Sequence, residues 1–263
     1  AQRRHELIVS EIRRAGGARV ADLAERLDVS EMTVRRDLDV LHDAGLIVKV
    51  HGGATLRYDH ATDEPGFEAK LTLNIDEKRA IAAAAAVMTG AGAAIGITAG
   101  TTTVQLAAEL ITVPDLTVVT NSIRVADVFY AAQRPDHTVI LVGGQRTPSD
   151  ALVGPVAVAT LESFRLDTVF MGVHGMHERA GFTTPNLLEA ETNKAFADAT
   201  DELVVLADHT KWGVTGLAAF ADLDDATVCI TDTGLPERAR SVLDEHVGRL
   251  VVTDPDVLSD RSA

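Results

Sequence analysis

Apolar and polar positions alternate with a helical period near the start of the chain. Val34, Leu38 and Leu41 recur at i, i+4 and i+7, which places them on one face of a helix. Ser30 precedes this stripe as an N-cap, because its hydroxyl can accept hydrogen bonds from the free amides of the first turn. Gly45 can close the last turn in a left-handed conformation. The pattern therefore predicts one complete helix between Ser30 and Gly45.

The opposite face of this helix carries candidate chemistry. Arg36 and Met32 lie opposite the apolar stripe, and Thr33 and Arg35 lie on its flanks. Arginine can donate two hydrogen bonds to a guanine edge, and threonine can meet a base or a phosphate. Together with Ser30, this face suits the major groove of DNA. An ordinary amphipathic helix with a solvated arginine pair would show the same local pattern.

The flanking segments favour DNA binding. Residues 20–27 predict a second short helix, and Asp28-Val29 forms the tight connection of a helix-turn-helix. Residues 2–15 predict a supporting first helix. Residues 46–54 are β-rich and reverse at two glycines, which predicts a wing. Lys49, His51 and Gly52 on this wing are candidates to touch the DNA backbone or minor groove, so residues 1–56 are predicted to be a winged helix-turn-helix domain.

A polar segment with Pro-Gly at residues 57–69 predicts a linker, and the pattern changes after it. Seven continuous apolar runs then alternate with helices, which indicates an α/β domain over residues 70–263 with a doubly wound, mostly parallel sheet. Ligands bind such sheets at the carboxyl ends of the strands. The predicted strands are 93–98, 116–120, 138–142, 168–172, 203–207, 227–231 and 250–253, and the predicted helices are 74–88, 102–111, 123–133, 156–164, 188–199 and 236–247.

The segment after the first of these strands is a candidate anion site. Gly100, Thr101, Thr102 and Thr103 form a glycine turn with hydroxyls at the start of a helix. Backbone amides and the helix dipole favour a phosphate or carboxylate there. A strand-to-helix turn with a threonine cap would have the same local sequence.

Further candidate ligand-binding residues follow the other strands or, for Lys78, open the helix before the sheet. They are Lys78, Thr120, Asn121, Ser122, Gly143, Gly144, Gly172, Gly175, Glu189, Asp208 and Lys211. Lys211 is suited to face a phosphate, and Asp208 can accept hydrogen bonds from sugar hydroxyls. Each charged residue taken alone is equally typical of a solvated loop.

Charge is distributed unevenly along the chain, whose net charge is −15. Residues 1–58 carry 10 Lys and Arg against 9 Asp and Glu, and the remaining residues carry 14 against 30. Phosphate contacts depend on local charge, so the N-terminal unit can still bind DNA, and dimerisation is expected to supply affinity. The sequence shows no membrane span, no signal region, no cofactor motif and no metal-binding pair of His or Cys. With Cys229 as the lone cysteine, these features favour the cytoplasm.

The run Val-Ser-x-x-Thr-Val-Arg-Arg-Asp-Leu, followed by Gly-Leu-Ile and His-Gly-Gly-Ala, resembles the DeoR family of bacterial transcriptional regulators. The later motifs Gly-Thr-Thr, Thr-Asn-Ser, Gly-Gly, Phe-Met-Gly-x-x-Gly and Asp-x-x-Lys resemble the sugar-phosphate-sensing domain of the same family. The resemblance implies a fold similar to ribose-5-phosphate isomerase and coenzyme A transferases, used for sensing.

Two functions are compatible with the sequence. The first is a repressor of a sugar-utilisation operon that binds operator DNA as a dimer or tetramer and is relieved by a phosphorylated sugar. The second is a sugar-phosphate isomerase with an appended DNA-binding head, for which Asp208, Glu189, Lys211 and His174 are acid–base candidates. The DNA-binding head favours the regulator, because an isomerase does not need it. The prediction is therefore no enzyme and no catalytic residues.

Overall fold

The computed structural model describes residues 2–15, 17–43, 47–50, 52–56, 67–71 and 73–256. The chain divides into two compact units, residues 1–75 and residues 76–263. Each unit has its own hydrophobic core.

The N-terminal unit is a winged helix-turn-helix. Its elements are α1 (Gln2–Ala15), β1 (Gly17–Arg19), α2 (Val20–Leu27), α3 (Glu31–Asp43), β2 (Ile47–Val50), β3 (Gly53–Leu56) and α4 (Phe67–Leu71). The three predicted helices and the wing strands are confirmed. Strand β1, which the sequence did not predict, joins the wing in an antiparallel sheet of order β1-β3-β2.

The predicted apolar stripe forms the core of this unit. Val34, Leu38 and Leu41 are buried and pack with Ile8 and Ile12 of α1. Helix α4 overlaps the last three residues of the predicted linker, and its Phe67 is buried. The predicted cap Gly45 and the wing residue His51 lie outside the described residues.

The second unit alternates helices with strands, as its sequence pattern predicts. Its elements are α5 (Ile75–Ala86), β4 (Ala94–Ile97), α6 (Thr101–Leu110), β5 (Thr117–Thr120), α7 (Ile123–Ala132), β6 (Thr138–Leu141), β7 (Gln145–Arg146), β8 (Leu152–Val153), α8 (Pro155–Leu161), β9 (Thr168–Gly172), β10 (Gly175–His177), β11 (Gly181–Thr184), α9 (Leu187–Asp198), β12 (Leu203–Leu206), β13 (Ala218–Ala221), β14 (Val228–Asp232), α10 (Glu237–His246) and β15 (Leu250–Thr253). Short 3-10 turns occupy His209–Lys211 and Leu223–Asp225.

All seven predicted strands form one parallel sheet of order β15-β14-β12-β9-β4-β5-β6. From β4 the chain first adds β5 and β6 on one side, and then β9, β12, β14 and β15 on the other. The strand order therefore reverses between β4 and β9. In open α/β sheets, the crevice outside the carboxyl ends of the strands at such a reversal is where ligands bind.

Both faces of this sheet are covered, which explains why its strands are continuous apolar runs. One core contains Phe170, Val204 and side chains from α5, α6 and α7, and the other contains Val169, Met171, Val205 and side chains from α8, α9 and α10. Alternate residues of one strand thus enter opposite layers. The helices cover the two faces of the sheet, so the ends of its strands remain accessible.

Two small antiparallel sheets, β7-β8 and β10-β11-β13, were not predicted. Their strands have two to four residues and include glycine and polar side chains, so they carry no clear apolar period. Strands β10 and β11 follow β9 directly and lead into α9, and β13 joins them from beyond β12.

Candidate functional site

The candidate recognition helix α3 is anchored through a buried carboxylate. Asp37 accepts hydrogen bonds from the Arg4 guanidinium, with Nη2 at 3.0 Å from Oδ1, and its Oδ1 lies 2.9 Å from His5 Nε2. These contacts hold the pKa of Asp37 below its usual value, chiefly through the hydrogen bond from Arg4. Arg4 of α1 is therefore engaged in fixing α3 against α1. The sequence did not predict this role for Asp37.

The outer face of α3 is open as predicted. Met32 is 60% exposed, and Arg36 is exposed and forms no hydrogen bond or ion pair with other described residues. Ser30 caps the helix by accepting from the Thr33 amide at 3.2 Å, and its hydroxyl lies 2.9 Å from the Thr33 hydroxyl. Arg35 pairs with Glu31 one turn earlier at 3.2 Å. Arg36 is thus the cation on this face that is ready to meet DNA.

The wing is attached to both helices of the helix-turn-helix. Lys49 of β2 forms an ion pair with Asp39 of α3. Gly52 forms the turn of the wing at a φ of +75°, and its carbonyl accepts from the amide of Val20 at 2.9 Å. Glycine is favoured there because a positive φ strains other residues. Lys49 is therefore held beside α3, and Gly52 beside the start of α2.

The predicted anion cradle lies at the reversal between β4 and β9. Gly100 caps α6 without a side-chain hydrogen bond, and the first helical amides therefore lack an N-cap side chain. Thr101 and Thr102 are buried, and their hydroxyls form no hydrogen bond with other described residues. Thr103 donates to the Gly100 carbonyl at 2.9 Å. The cradle thus combines the positive end of a helix with two free hydroxyls.

Gly172, at the end of β9, faces this cradle directly. A Cβ at Gly172 would lie 3.6 Å from Thr103 Cγ2 and 3.8 Å from the Gly100 Cα. The Gly172 amide donates to Thr98 Oγ1 at 3.1 Å, which fixes the two strand ends together. The two glycines leave a narrow space between the strand ends.

The residues at the end of β5 and directly after it hold the loop that forms the cradle. Thr120 donates to the Ile97 carbonyl at 2.6 Å, and Asn121 accepts from the Ala99 amide at 2.9 Å. The Asn121 amide group also donates to the Leu152 carbonyl, and Ser122 caps α7 through the Val125 amide. All three are buried. Their polar groups are engaged within the protein, so their role here is to position the loop after β4.

A charged cluster follows β12. Asp208 is 1% exposed, and Lys78 in the first turn of α5 is 3% exposed. Burial opposes ionisation of Asp208, yet the charges of Lys211 and Lys78 and hydrogen bonds from Thr210 hold its pKa below the usual value. Three predicted ligand residues, Lys78, Asp208 and Lys211, are therefore brought together. Strand β9 separates β12 from β4, so the cluster lies about 10 Å from the cradle at ordinary strand spacing.

Four other predicted residues have explanations within the fold. Cβ atoms at Gly144 and Gly175 would lie 2.4 Å from the Val153 carbonyl oxygen and 2.1 Å from the Val214 carbonyl oxygen. A Cβ at Gly143 would lie 2.9 Å from Val156 Cγ1. Glu189, in the first turn of α9, accepts from the Thr184 hydroxyl at 2.9 Å. The close approach that these glycines allow is therefore an approach of protein to protein.

Two charged groups near the strand ends were not predicted as site residues. His209 lies beside Asp208 and bonds to Asp232 at the end of β14, with Nδ1 at 2.7 Å from Oδ2. Asp150 binds both Arg124 and Arg146, with distances of 2.8 Å and 2.6 Å. Neighbouring parallel strands place residues that follow them side by side, and this signal could have revealed the first pair. No comparable signal joins Asp150 to Arg124.

The described residues contain no group of three or more His, Cys, Asp or Glu side chains that could hold a metal ion. Within the same ranges, no helix has the length and apolar character needed to cross a membrane. Burial raises the pKa of the Cys229 thiol to about 12, which leaves it protonated.

Comparison with known proteins identifies both units. Residues 4–59 match the DeoR-like helix-turn-helix domain, and residues 73–233 match the DeoR C terminal sensor domain. The chain belongs to the DeoR family. This confirms the resemblance drawn from the motifs, and the chain is a DNA-binding transcriptional regulator.

Relatives extend the match over most of the chain. The HTH-type transcriptional regulator FruR of Bacillus subtilis (strain 168) is 34% identical over 87% of this chain and 90% of its own length. The lactose phosphotransferase system repressor of Staphylococcus aureus (strain NCTC 8325 / PS 47) is 33% identical over 88% of this chain and 92% of its own. The prediction that this DeoR-family chain is a regulator and not an enzyme agrees with these relatives.

Among solved structures, the chain shows a partial likeness to ribose 5-phosphate isomerase A from Methanocaldococcus jannaschii, with 17% identity and a TM-score of 0.39 over 53% of this chain and 55% of that one.

Proposed function

We propose that this DeoR-family regulator represses a sugar-utilisation operon, and that a phosphorylated sugar bound in its C-terminal unit releases it from the operator. One observation carries the proposal. The cluster of buried Lys78 and Asp208 with half-buried Lys211 lies at the same sheet edge as the uncapped start of α6. The two lysines of the cluster and the free amides of α6 suit an anionic ligand that also bears hydroxyl groups.

The roles of the individual groups follow from their chemistry. The phosphate is proposed to lie against the first amides of α6 and the hydroxyls of Thr101 and Thr102, with Lys78 or Lys211 supplying charge. Asp208 remains ionised, because the two lysines hold its pKa low. An ionised carboxylate accepts hydrogen bonds and does not donate them, so it is suited to sugar hydroxyls. Gly172 leaves room for the ligand between the two ends.

Repression is proposed to depend on an oligomer, a dimer or a tetramer. The C-terminal unit is strongly acidic, so a single DNA-binding head would have low affinity for DNA. Two heads on a palindromic operator add their contacts. In one arrangement of the oligomer the two heads do not match their half-sites. An effector that binds this arrangement more tightly lowers operator affinity by linkage. The name of the Staphylococcus aureus relative, a lactose phosphotransferase system repressor, supports the proposed role in repression.

Binding can be measured on the full chain with its own reporter. Trp212 is the one tryptophan, and its amide donates to the His209 carbonyl within the turn that carries Lys211. Its emission should respond when glucose 6-phosphate, fructose 1-phosphate, fructose 6-phosphate or ribose 5-phosphate is added. The parent sugars serve as controls. At a hundred times its Kd, a bound phosphate ester should also stabilise the unit by about 2.7 kcal/mol.

The decisive variant is Lys211→Gln, with Lys194→Gln on the exposed side of α9 as matched control. Lys211→Gln should bind operator DNA as the parent does but no longer release it when the active sugar phosphate is added. Lys194→Gln should respond normally. If neither sugar phosphates nor their parents change emission, stability or operator binding of the parent protein, the proposed effector class is wrong.

A further inference from the structure

The imidazole of His209 is held in one orientation by a buried carboxylate. Its backbone amide donates to Asp232 Oδ1 at 2.7 Å, and its ring Nδ1 lies 2.7 Å from Asp232 Oδ2. The Gly234 amide also donates to Oδ2, at 2.9 Å. Asp232 is 1% exposed. Because the carboxylate is fixed from several sides, Nδ1 carries the proton and the ring cannot turn freely.

The other ring nitrogen faces an opening. Nε2 of His209 bonds to no other residue in the described part of the chain, and the ring is 25% exposed. His137 in the same unit contrasts with it, because its Nε2 donates to the Val113 carbonyl at 2.7 Å. His209 follows Asp208 directly and lies two positions before Lys211 in the same 3-10 turn. Its uncommitted nitrogen is therefore at the border of the charged cluster.

The charges around His209 come from three elements. Asp232 belongs to β14, Asp208 follows β12, and Glu77 lies in the first turn of α5. Lys211 and Lys78 act on Asp208 from the same turn and from α5. The hydrogen bond to Asp232 raises the pKa of His209, burial opposes this, and Asp208 and Glu77 add to the increase.

We propose that His209 contacts the effector through Nε2–H and that Asp232 is the positioning residue that presents this group. The inference rests on the proposed function and deepens it, because it adds a histidine donor to the lysines of that site. The charged ring has two N–H donors, one for Asp232 and one for an anionic oxygen of the ligand. Effector binding would then be coupled to the protonation of one histidine.

The test is the pH dependence of binding to the full chain. The Kd of the tightest sugar phosphate of the panel is measured by Trp212 emission at half-unit steps from pH 6 to 9. The parent should lose affinity as pH rises through the pKa of His209, by up to tenfold per unit. The phosphate of the ligand has a second pKa near 6, so its own ionisation works in the opposite direction and affects every variant equally.

Three variants separate a contact from a structural role. His209→Gln should bind about tenfold more weakly at pH 6.5, the scale of a charge-assisted hydrogen bond, and should no longer lose affinity as pH rises. Asp232→Asn should keep the fold, and its loss of affinity should occur at lower pH, because the asparagine side chain no longer raises the pKa of the His209 ring. His246→Gln removes the exposed His246–Asp224 pair and should behave as the parent.

The outcomes separate this inference from the proposal on which it rests. A parent that binds sugar phosphates at no pH overturns both. A parent that binds, together with a His209→Gln variant of equal affinity and equal pH profile, overturns the role of His209 and leaves the effector class standing. If affinity no longer falls with rising pH in His209→Gln but still does so in His246→Gln, the contact between His209 and the effector is supported.

Discussion

Lys49 of the wing and Asp39 of the recognition helix form an ion pair that joins the two elements proposed to contact DNA. Asp37 lies two positions before Asp39 but is buried against Arg4 and His5 on the other side of the helix. Asp37 therefore anchors the buried face of α3. Asp39 binds Lys49, for which DNA phosphates would compete. The two should affect DNA binding with opposite signs.

Replacing each aspartate separately tests this difference. Asp39→Asn should strengthen operator binding a few-fold, because an exposed ion pair is worth about 0.2–1 kcal/mol and its loss frees Lys49. Asp37→Asn should weaken binding about tenfold, because α3 loses its anchor. The measurement is fluorescence anisotropy with an operator selected from a random-sequence duplex library. Equal effects of the same sign would contradict the assignment of the two faces.

Arg36 is predicted to contact a base edge. Arg36→Ala should weaken operator binding by about 1–3 kcal/mol for each half-site and relax the sequence preference at one position. The effector response of the C-terminal unit, followed by Trp212 emission, should be unchanged. Arg26→Ala on α2, where Arg26 pairs with Glu11, is the matched control and should bind nearly as the parent does. If Arg36→Ala binds the operator with wild-type affinity, the base contact is made by another face of α3.

The space between Gly100 and Gly172 is predicted to belong to the ligand. A Cβ at Gly172 makes only ordinary contacts, the nearest at 3.6 Å, so Gly172→Ala should fold with nearly unchanged thermal stability and lose sugar-phosphate binding. Gly90→Ala, where a Cβ meets nothing within 4 Å, is the control. Gly175→Ala would force a Cβ to 2.1 Å from the Val214 carbonyl and should lower stability instead. Unchanged effector affinity in a folded Gly172→Ala variant would exclude this space from the site.

Asp150 is predicted to stabilise the C-terminal unit in a pH-dependent manner. Burial opposes its ionisation, but hydrogen bonds from Arg124 and Arg146 hold its pKa below the usual value. A lowered pKa contributes stability above the unfolded-state value, and that stability is lost as pH falls through the folded-state value. Asp150→Asn, which tolerates the local φ of +59°, should lower the unfolding free energy by about 1 kcal/mol at pH 7.

Urea unfolding at pH 7, 5 and 3.5 measures this effect. The difference between Asp150→Asn and the parent should begin to shrink at the lowest pH, because the unfolded parent takes up a proton there while the folded parent, with its lowered pKa, still resists protonation. Asp127→Asn, on the exposed side of α7, controls for a general change in charge. A difference that stays constant with pH would mean that Asp150 acts through packing alone.

The sequence predicted the layers of the fold well, because burial on both faces gives each central strand a continuous apolar run. All seven strands of the large sheet were located from this signal. It fails for β10 and β11, which are short and include Gly175, Gly181 and two threonines. It also could not pair Asp37 with Arg4, which is 33 positions earlier, since helical periodicity identifies a face but not its partner.

The candidate site was predicted in the same uneven way. Asp208 and Lys211 were chosen because they follow a strand, and the structure brings Lys78 of α5 close to them, although their role in ligand binding stays a prediction. Thr120, Asn121 and Ser122 were expected to point donors at the crevice, but their polar groups are engaged in hydrogen bonds that hold the loops. A donor at a strand end can serve a ligand or the backbone, and only the fold shows which.

The reversal of strand order between β4 and β9 has a consequence for protein synthesis. The half of the sheet that holds the cradle, from β4 to β6, leaves the ribosome before the half that supplies Asp208, His209 and Lys211. A nascent chain ending at Gly154 would have the DNA-binding head and the start of α6, but it would lack Gly172 and most of the charged cluster. Prematurely terminated chains of this length would therefore carry the DNA-reading part of the regulator without most of the groups proposed to bind its effector.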